Sequence, residues 1–405
     1  MRAQGGAGTH FQSVAPKLGH QPPLDGLRGY FMVAVLFAHF NYANFASFAA
    51  AVDVFFVVSG FLITTLLLEE DRKAGSISLR NFYTRRALRL LPMLYIVIGV
   101  TVVAIWVAVQ IHGSDSRAAI PEGFSYGELW DMTKSDAIAG SLYLYHVIHP
   151  VGIEIVDSGF PEIRPLIQLW SLSVEEHYYV FGVLLTIFAV RRRLVKQLMV
   201  FFIGAYVFIS AARLFSYVGP RLAWYQRPDA IMLGVVLAFW NAHLPEGLSE
   251  RFRRIAHHAA SAAAVLFAAT VFVGTGFAKP FGLFVPFSPA EGDTLSDGLY
   301  WGEFGFTICS FCAAVVVFTM VRAPDHWLRP VLSWRPALAI GVRSYAIYLI
   351  HVPLFVILAN LVPQHAVLAA VAYLPMLVLT TEASHRWVEK PLMRLKTRSA
   401  TPARA

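Results

Sequence analysis

Residues 90–110 read LLPMLYIVIGVTVVAIWVAVQ, a run of 21 residues without a charged side chain. As an α-helix this run would be about 30 Å long, which matches the hydrocarbon thickness of a bilayer. It therefore predicts a membrane-spanning helix. The preceding residues, 82–89, read FYTRRALR and carry three arginines. Positive charge next to a span indicates its cytoplasmic end.

The composition extends this interpretation to the whole chain of 405 residues. Apolar residues make up 57% and charged residues 14%, whereas soluble domains contain roughly 25% charged residues. These values exclude a disordered chain and predict an all-α, polytopic integral membrane protein. The net charge of +8 then belongs in cytoplasmic loops and does not indicate nucleic-acid binding. The two cysteines, Cys309 and Cys312, lie in an apolar run, which favours packing over redox or metal chemistry.

Apolar runs near 20 residues predict about ten transmembrane helices. They lie at 29–48, 50–68, 90–110, 167–190, 195–216, 229–243, 257–278, 299–321, 337–361 and 366–386. The segments between them alternate between basic and neutral or acidic, which places both termini in the cytoplasm. One loop, 216–228, fits this scheme poorly because it carries Arg221 and Arg227 on the side expected to face outward.

A further apolar run, 135–149, is too short for an ordinary span. A full crossing there would turn the basic RRRLVK loop (191–196) outward, so we expect a re-entrant or interfacial segment. The predicted organisation is a polar N-terminal tail without a cleavable signal (1–21), one membrane domain (22–396) and a basic C-terminal tail (397–405). No metal site is expected.

The segment 24–40, LDGLRGYFMVAVLFAHF, places Arg28 and His39 eleven residues apart. At 100° per residue this spacing brings both side chains to nearly the same helix face, with His39 about 16 Å deeper. An ionisable group inside a span costs a few kcal/mol and indicates a function. His39 fits a general base near mid-membrane. A structural histidine bonded to a neighbouring helix explains it about equally well.

Three arginines, Arg85, Arg86 and Arg89, crowd one side of the predicted helix through their i,i+3 and i,i+4 spacing. Guanidinium groups suit phosphate oxygens through forked hydrogen bonds. The cluster lies at the cytoplasmic edge, beside the position expected for Arg28. An anchor for lipid headgroups is the alternative.

Two adjacent acids, Glu175 and Glu176, fall within another predicted span. Counted back from the basic loop after that span, they lie in its outer half. Adjacent helical residues point about 100° apart, so the two carboxylates are not expected to form one paired site. We expect one of them to orient a substrate hydroxyl or to pair with a buried arginine such as Arg213.

Further polar positions fall on the outer side. Asp53 and Asp229 stand near the outer ends of their spans, and a capping role is an equal alternative for Asp53. Ser344, Tyr348 and His351 recur at i, i+4 and i+7, which predicts one polar stripe along a helix. Interhelical hydrogen bonding is the alternative for the stripe. The predicted layout suits a phosphate-bearing donor from the cytoplasm and a polar acceptor from outside.

In their order along the chain, these segments resemble the acyltransferase 3 family of integral membrane O-acyltransferases. The similarity covers about 21–396. The segments that carry it are LDGLRGYFMVAVLFAHF, VDVFFVVSGFLIT, FYTRRALRLLPMLY, LWSLSVEEHYY, RPDAIMLG, SYAIYLIHVPLF and VEKPLMRL.

The resemblance implies acyl transfer to a hydroxyl, commonly on a carbohydrate. It implies acyl-CoA, with acetyl-CoA the simplest case, as a donor substrate rather than a permanently bound cofactor. It implies Arg28 and His39 as the essential pair, with His39 as general base, and Arg86 and Arg89 as an Arg-x-x-Arg element near the donor. Other residues on motif positions are Glu175, Asp229, Tyr345 and His351.

Departures from the family pattern leave the acceptor open. His177 stands where the family usually has Gln, and Val352 stands where Trp is common. The expected acceptor is an envelope or exported polysaccharide or a glycolipid, with a small glycosylated metabolite such as a macrolide as the alternative. Direct transfer and a covalent acyl-His39 intermediate both fit. A transporter or flippase without chemistry is the alternative of another class. The expected location is the inner, cytoplasmic membrane.

Overall fold

The computed structural model describes residues 13–149, 164–215, 228–287 and 298–392. Within these ranges the protein is helical, and the only β-type pairing is an isolated bridge between Arg117 and Ser125. The longer helices are α1 (Pro22–Phe40), α2 (Ala51–Ala74), α3 (Leu79–His112), α4 (Tyr126–Ser141), α5 (Leu169–Arg192), α6 (Val195–Phe215), α7 (Asp229–His243), α8 (Glu250–Val273), α9 (Trp301–Arg322), α10 (Arg335–Val342), α11 (Ser344–Leu361) and α12 (Ala366–Ser384). Short helical segments are Tyr42–Phe45, Ala46–Ala50, Tyr145–Ile148, Gly276–Phe281, Leu328–Leu332, Pro363–His365 and His385–Glu389.

The predicted all-α, polytopic membrane class is confirmed. Eight helices in the described part of the chain are long and apolar enough to cross a bilayer, namely α2, α3, α5, α6, α8, α9, α11 and α12. Helix α7 is apolar but has 15 residues, and α1 carries Asp25 and Arg28 in its first turns. The number of ten spans and the cytoplasmic position of both termini stay predictions. The poorly fitting residues Arg221 and Arg227 lie outside the described residues.

Two predicted spans have different boundaries in the structure. The span is predicted at 29–48, but α1 begins at Pro22. Proline suits the start of a helix because it has no backbone N–H, and the first N–H groups of a helix have no acceptor within it. It ends at Phe40, since Asn41 leaves the helical conformation and its side chain accepts the backbone N–H of Asn44 at 3.3 Å. Arg28 therefore lies inside the helix. The predicted span 337–361 is divided at Arg343 into α10 and α11.

The segment 135–149 turns back within the protein. Helix α4 ends at Ser141, whose carbonyl accepts a hydrogen bond from Tyr95 of α3 at 3.2 Å. Tyr95 lies 17 residues before the end of α3, or about 25 Å along the axis. The chain then reverses, so that His149 Nε2 contacts the Ser135 hydroxyl at 3.0 Å. The chain therefore reverses beside the middle of α3, which agrees with a re-entrant segment.

Glycines set the closest helix crossings. A Cβ atom built on Gly60 of α2 would lie 2.3 Å from the carbonyl oxygen of Ile231 in α7, and one on Gly234 would lie 2.3 Å from that of Val57. The absence of a side chain at Gly60 therefore permits the close approach of α2 and α7. Helix α1 meets α10 in the same way at Gly29. These crossings fix α2 against α7 and α1 against α10.

The main core lies among α1, α2, α3, α5, α9 and α11. Helices α6, α8 and α12 expose most of their apolar side chains, as expected for a surface in contact with lipid. The polar residues expected to act in chemistry are thus held by the inner helices.

Candidate active site

The three arginines of α3 are held in different ways. Arg85 pairs with Glu70 of α2 at 3.2 Å. Arg86 pairs with Glu176 of α5 at 2.8 Å, and its guanidinium carbon lies 3.0 Å above the ring centroid of Tyr179. Arg89 makes no hydrogen bond or ion pair with any residue that the structure describes. The arginines therefore do not form a simple stack, and Arg89 is left with an uncompensated charge.

These arginines line a basic pocket of about 770 Å³, which we call the basic vestibule. Its charged lining residues are Lys17, Glu69, Glu70, Arg72, Lys73, Arg85, Arg86 and Arg89. Because six cations face two carboxylates, the vestibule is suited to a polyanionic ligand.

We call a second, narrower space of about 70 Å³ the inner cavity. Its polar lining residues are Arg28, Ser59, Ser171, Glu175, Ser344, Tyr345 and Tyr348. Arg28 of the inner cavity lies within electrostatic range of Arg89, which lines the vestibule. Within the described part of the chain, Arg28 has no hydrogen-bond or ion-pair partner, so its guanidinium is free to bind a ligand.

Polar side chains of α11 lead from the inner cavity to His351. The Tyr345 hydroxyl donates to the Leu90 carbonyl at 2.7 Å. The Tyr348 hydroxyl donates to the Gln168 carbonyl at 3.0 Å and bonds to Ser171. One helical turn farther, the ring of His351 lies 5.5 Å from that of Tyr348. Since Ser344 and Tyr348 line the inner cavity, the stripe joins that cavity to His351.

His39 of α1 lies beside His351, edge to face, with ring centroids 4.9 Å apart. His39 Nδ1 donates to the carbonyl of Val35 at 2.9 Å, and His351 Nδ1 donates to that of Tyr348 at 2.7 Å. A carbonyl only accepts, so both Nδ1 atoms carry the hydrogen and both Nε2 atoms present a lone pair. His351 is fully buried and its Nε2 has no partner among the described residues.

As expected for one of the two acids, Glu176 pairs with a buried arginine, but this arginine is Arg86 and not Arg213, which pairs with Asp229. The position of both acids in the outer half of their span stays a prediction. Glu176 pairs with Arg86, and Glu175 accepts a hydrogen bond from Tyr179. Both acids therefore lie at the level of the arginines of α3. The reason is that α3 extends seven residues before Arg86, which sets this arginine about 10 Å inside the helix. A buried carboxylate there is stabilised by the nearest cation. The two acids do diverge, as expected for adjacent helical residues.

Asp53 and Asp229 are not brought to this site. Asp229 pairs with Arg213 at 2.8 Å, and both side chains are buried. Asp53 is also buried and lies in electrostatic range of Tyr206, as do Asp229 and Arg213. Neither aspartate lines the vestibule or the inner cavity, so their expected acceptor-side role finds no geometric support.

Sequence reasoning overlooked several site residues. Tyr179 lies in a π-helical turn, Tyr178–Gly182, and π turns are frequent at functional sites, but no sequence signal indicates one here. Ser171 and Ser59 lie in quoted motifs, and their hydroxyls gave no reason to single them out. Lys17 falls in a segment without periodicity.

No group of three or more potential metal ligands occurs in the described residues. Cys309 and Cys312 are both buried and free. The described site thus consists of arginines, carboxylates, hydroxyls and imidazoles.

Comparison with known proteins agrees with the resemblance. Residues 22–381 match a family model described as an acyltransferase domain, that of acyltransferase 3. The chain is 27% identical to the peptidoglycan O-acetyltransferase OatA of Listeria monocytogenes over 92% of its own length and 56% of the relative's. It is 29% identical to the putative peptidoglycan O-acetyltransferase YrhL of Bacillus subtilis, over 92% and 54%. It is 27% identical to the O-acetyltransferase OatA of Staphylococcus aureus, over 92% and 57%.

The chain therefore spans little more than half the length of these relatives. No solved structure matches it significantly. The family model, however, covers most of the chain, including the inner cavity, the histidine pair and every charged residue of the vestibule except Lys17. The chain belongs to the acyltransferase 3 family.

Proposed function

We propose that the protein is a membrane-embedded O-acyltransferase that moves an acyl group, acetyl in the simplest case, from acyl-CoA to a carbohydrate hydroxyl. The observation that carries the proposal is the succession of polar groups from the basic vestibule, over Arg28 and the inner cavity, to His351 and His39. The vestibule opens among cations that suit the phosphates of the donor. The free lone pair on His39 Nε2 suits a general base at the end of the path.

In the proposed reaction, the donor phosphates lie in the vestibule near Arg89 and Arg28, and the thioester reaches the region of His39. His39 Nε2 takes the proton from the acceptor hydroxyl. The hydroxyl oxygen attacks the thioester carbonyl, so a C–O bond forms and the C–S bond breaks. The CoA thiolate leaves and receives the proton from His39, which returns to its neutral form. No net proton is lost, and the products are an ester and free CoA.

The proposed acceptor is a polysaccharide of the cell envelope, and the names of the relatives favour peptidoglycan. The proposed location is the cytoplasmic membrane, where donor and acceptor would approach from opposite sides. The eight helices of spanning length in the described part of the chain, one of which carries His351, support a membrane location.

The experiment is a comparison of glycans by mass spectrometry. The gene is deleted in its source organism and restored as wild type, as His39→Ala or as His243→Ala. His243 is a matched control, because its Nδ1 makes the same bond to the carbonyl four residues earlier, at 2.7 Å, at the end of α7 and away from the site.

We expect an acyl-sized mass loss that wild type and His243→Ala restore and His39→Ala does not. Full restoration by His39→Ala at equal expression would overturn the proposed role of His39. An unchanged glycan profile on deletion would overturn the proposed acceptor and favour a small glycoside or transport.

A further inference from the structure

The residues that precede α1, 13–21, are packed against the rest of the protein, and we call them the N-terminal strap. Ala15 and Leu18 are buried, with 4% and 6% of their surface exposed. The Val14 N–H donates to the carbonyl of Ala242 at 2.8 Å, and the Leu18 N–H donates to Glu69. The strap thus bridges the end of α7 and the end of α2.

Arg72, which lies three residues after Glu69 on α2, also fastens the strap. Its guanidinium donates to the carbonyls of Ser13 and Ala15, at 3.3 and 2.6 Å. With Arg72, Glu69 and Ala242 as anchors, the backbone around residue 17 is held in place. Lys17 has an exposed side chain that lines the basic vestibule.

Some charged residues of the vestibule already have partners within the protein, whereas others have none among the described residues. Arg85 and Arg86 are paired with carboxylates, and Arg72 binds the strap. Glu69 and Glu70 accept backbone N–H groups, from Leu18 and Ser78. This leaves three cations without a hydrogen bond or ion pair to any described residue, namely Lys17, Lys73 and Arg89. Lys17 comes from the strap and Arg89 from α3, so the free charges stand on different walls of the pocket.

We propose that Lys17 is a donor-binding residue and that the strap forms one wall of the nucleotide-binding part of the site. Its ammonium group contacts a phosphate of the CoA nucleotide, as a point charge. The anchoring of the strap places this charge in advance, which lowers the entropy lost on binding. Arg72 is a positioning residue, since it holds the strap and leaves the ligand contact to Lys17. This inference rests on the proposed function, because it takes CoA as the ligand.

The experiment measures CoA binding by calorimetry with the full chain in lipid nanodiscs, at low salt. The variants are Lys17→Ala, Lys17→Arg and Lys196→Ala. Lys196 lies exposed at the start of α6, outside the vestibule lining, so Lys196→Ala removes the same charge elsewhere. Lys17 is exposed as well, and its substitution is expected to leave the melting temperature unchanged.

We expect Lys17→Ala to weaken CoA binding about tenfold, which corresponds to one lost charge-assisted contact. Lys17→Arg keeps most of the affinity and Lys196→Ala keeps all of it. Equal CoA affinity of wild type, Lys17→Ala and Lys196→Ala would overturn the role of Lys17 while leaving the proposed function intact. Absence of CoA binding to wild type would overturn both.

A second ligand locates the contact. Dephospho-CoA lacks the 3′-phosphate, so a Lys17→Ala penalty that disappears with this ligand assigns Lys17 to the 3′-phosphate. A penalty that persists assigns it to the pyrophosphate. Either result supports the strap as a wall of the site. If Lys17→Ala loses no affinity for CoA or for dephospho-CoA, the strap is not such a wall.

Discussion

The imidazole of His39 meets the imidazole of His351 edge to face at 4.9 Å, and each ring donates its Nδ1 hydrogen to a carbonyl of its own helix. The two Nε2 atoms are therefore both proton acceptors. Because the His351 ring packs against His39 and its Nε2 has no partner among the described residues, we predict that His351 stabilises the imidazolium that His39 forms during acyl transfer. His351 is thus placed to assist His39 without contacting the donor pocket.

We predict that His351→Ala lowers kcat by about 10²-fold, within the range for loss of acid–base assistance, and leaves the KM for the donor unchanged. The reason is that His351 lies beside the base and outside the vestibule lining. Steady-state kinetics with varied acyl-CoA gives both constants. A change confined to KM would contradict the assignment.

Arg89 is predicted to serve binding rather than folding. It has no ion pair or hydrogen bond in the described part of the chain, and it lines the vestibule. Arg89→Ala should raise the dissociation constant for CoA about tenfold or more and leave the unfolding midpoint unchanged. Calorimetry and thermal unfolding of the same preparation measure the two effects. A lower unfolding midpoint together with normal CoA affinity would show that Arg89 serves folding rather than binding.

The Arg86–Glu176 pair, unlike Arg89, is predicted to stabilise the fold. Its side chains are 16% and 14% exposed, so removing one partner leaves a largely buried charge. Arg86→Met should destabilise the fold by about 3 kcal/mol, and the double variant Arg86→Met with Glu176→Gln should recover a large part of this loss. Unfolding in detergent measures the free energies. Additive losses in the double variant would show that the pair is not coupled.

The crossing of α2 and α7 provides a test of packing. Gly60→Ala would place a methyl group 2.3 Å from the Ile231 carbonyl oxygen, and we expect a loss of about 1–3 kcal/mol. Gly204→Ala is the control, since nothing lies within 4 Å of its Cβ position in α6. The control should be neutral or slightly stabilising. Equal stability of the two variants would mean that the helices can separate without cost.

Local patterns in the sequence predicted much of this architecture. Uncharged runs such as 90–110 predict helices because a span of about 20 apolar residues has few other stable structures in a bilayer. The polar stripe at Ser344, Tyr348 and His351 depends only on helical periodicity, and the structure places these residues along one path.

Relations between helices were harder to predict. Whether Glu176 pairs with Arg86 or Arg213 depends on how far α3 and α5 slide past each other, which neither helix encodes alone. The partner of Asp229 is set in the same way by the register of α6 and α7. The strap around Lys17 has no periodic pattern, because it is held by backbone contacts to other helices.

The role of His39 in acyl transfer is tested most directly with the purified protein, acetyl-CoA and a soluble glycan fragment. The release of free CoA and the mass of the glycan are followed together for wild type, His39→Ala and the His243→Ala control. We predict that wild type and the control release CoA in step with acetylation of the glycan and that His39→Ala does neither. Release of CoA coupled to acetylation at the wild-type rate by His39→Ala would contradict the assignment of His39 as the general base.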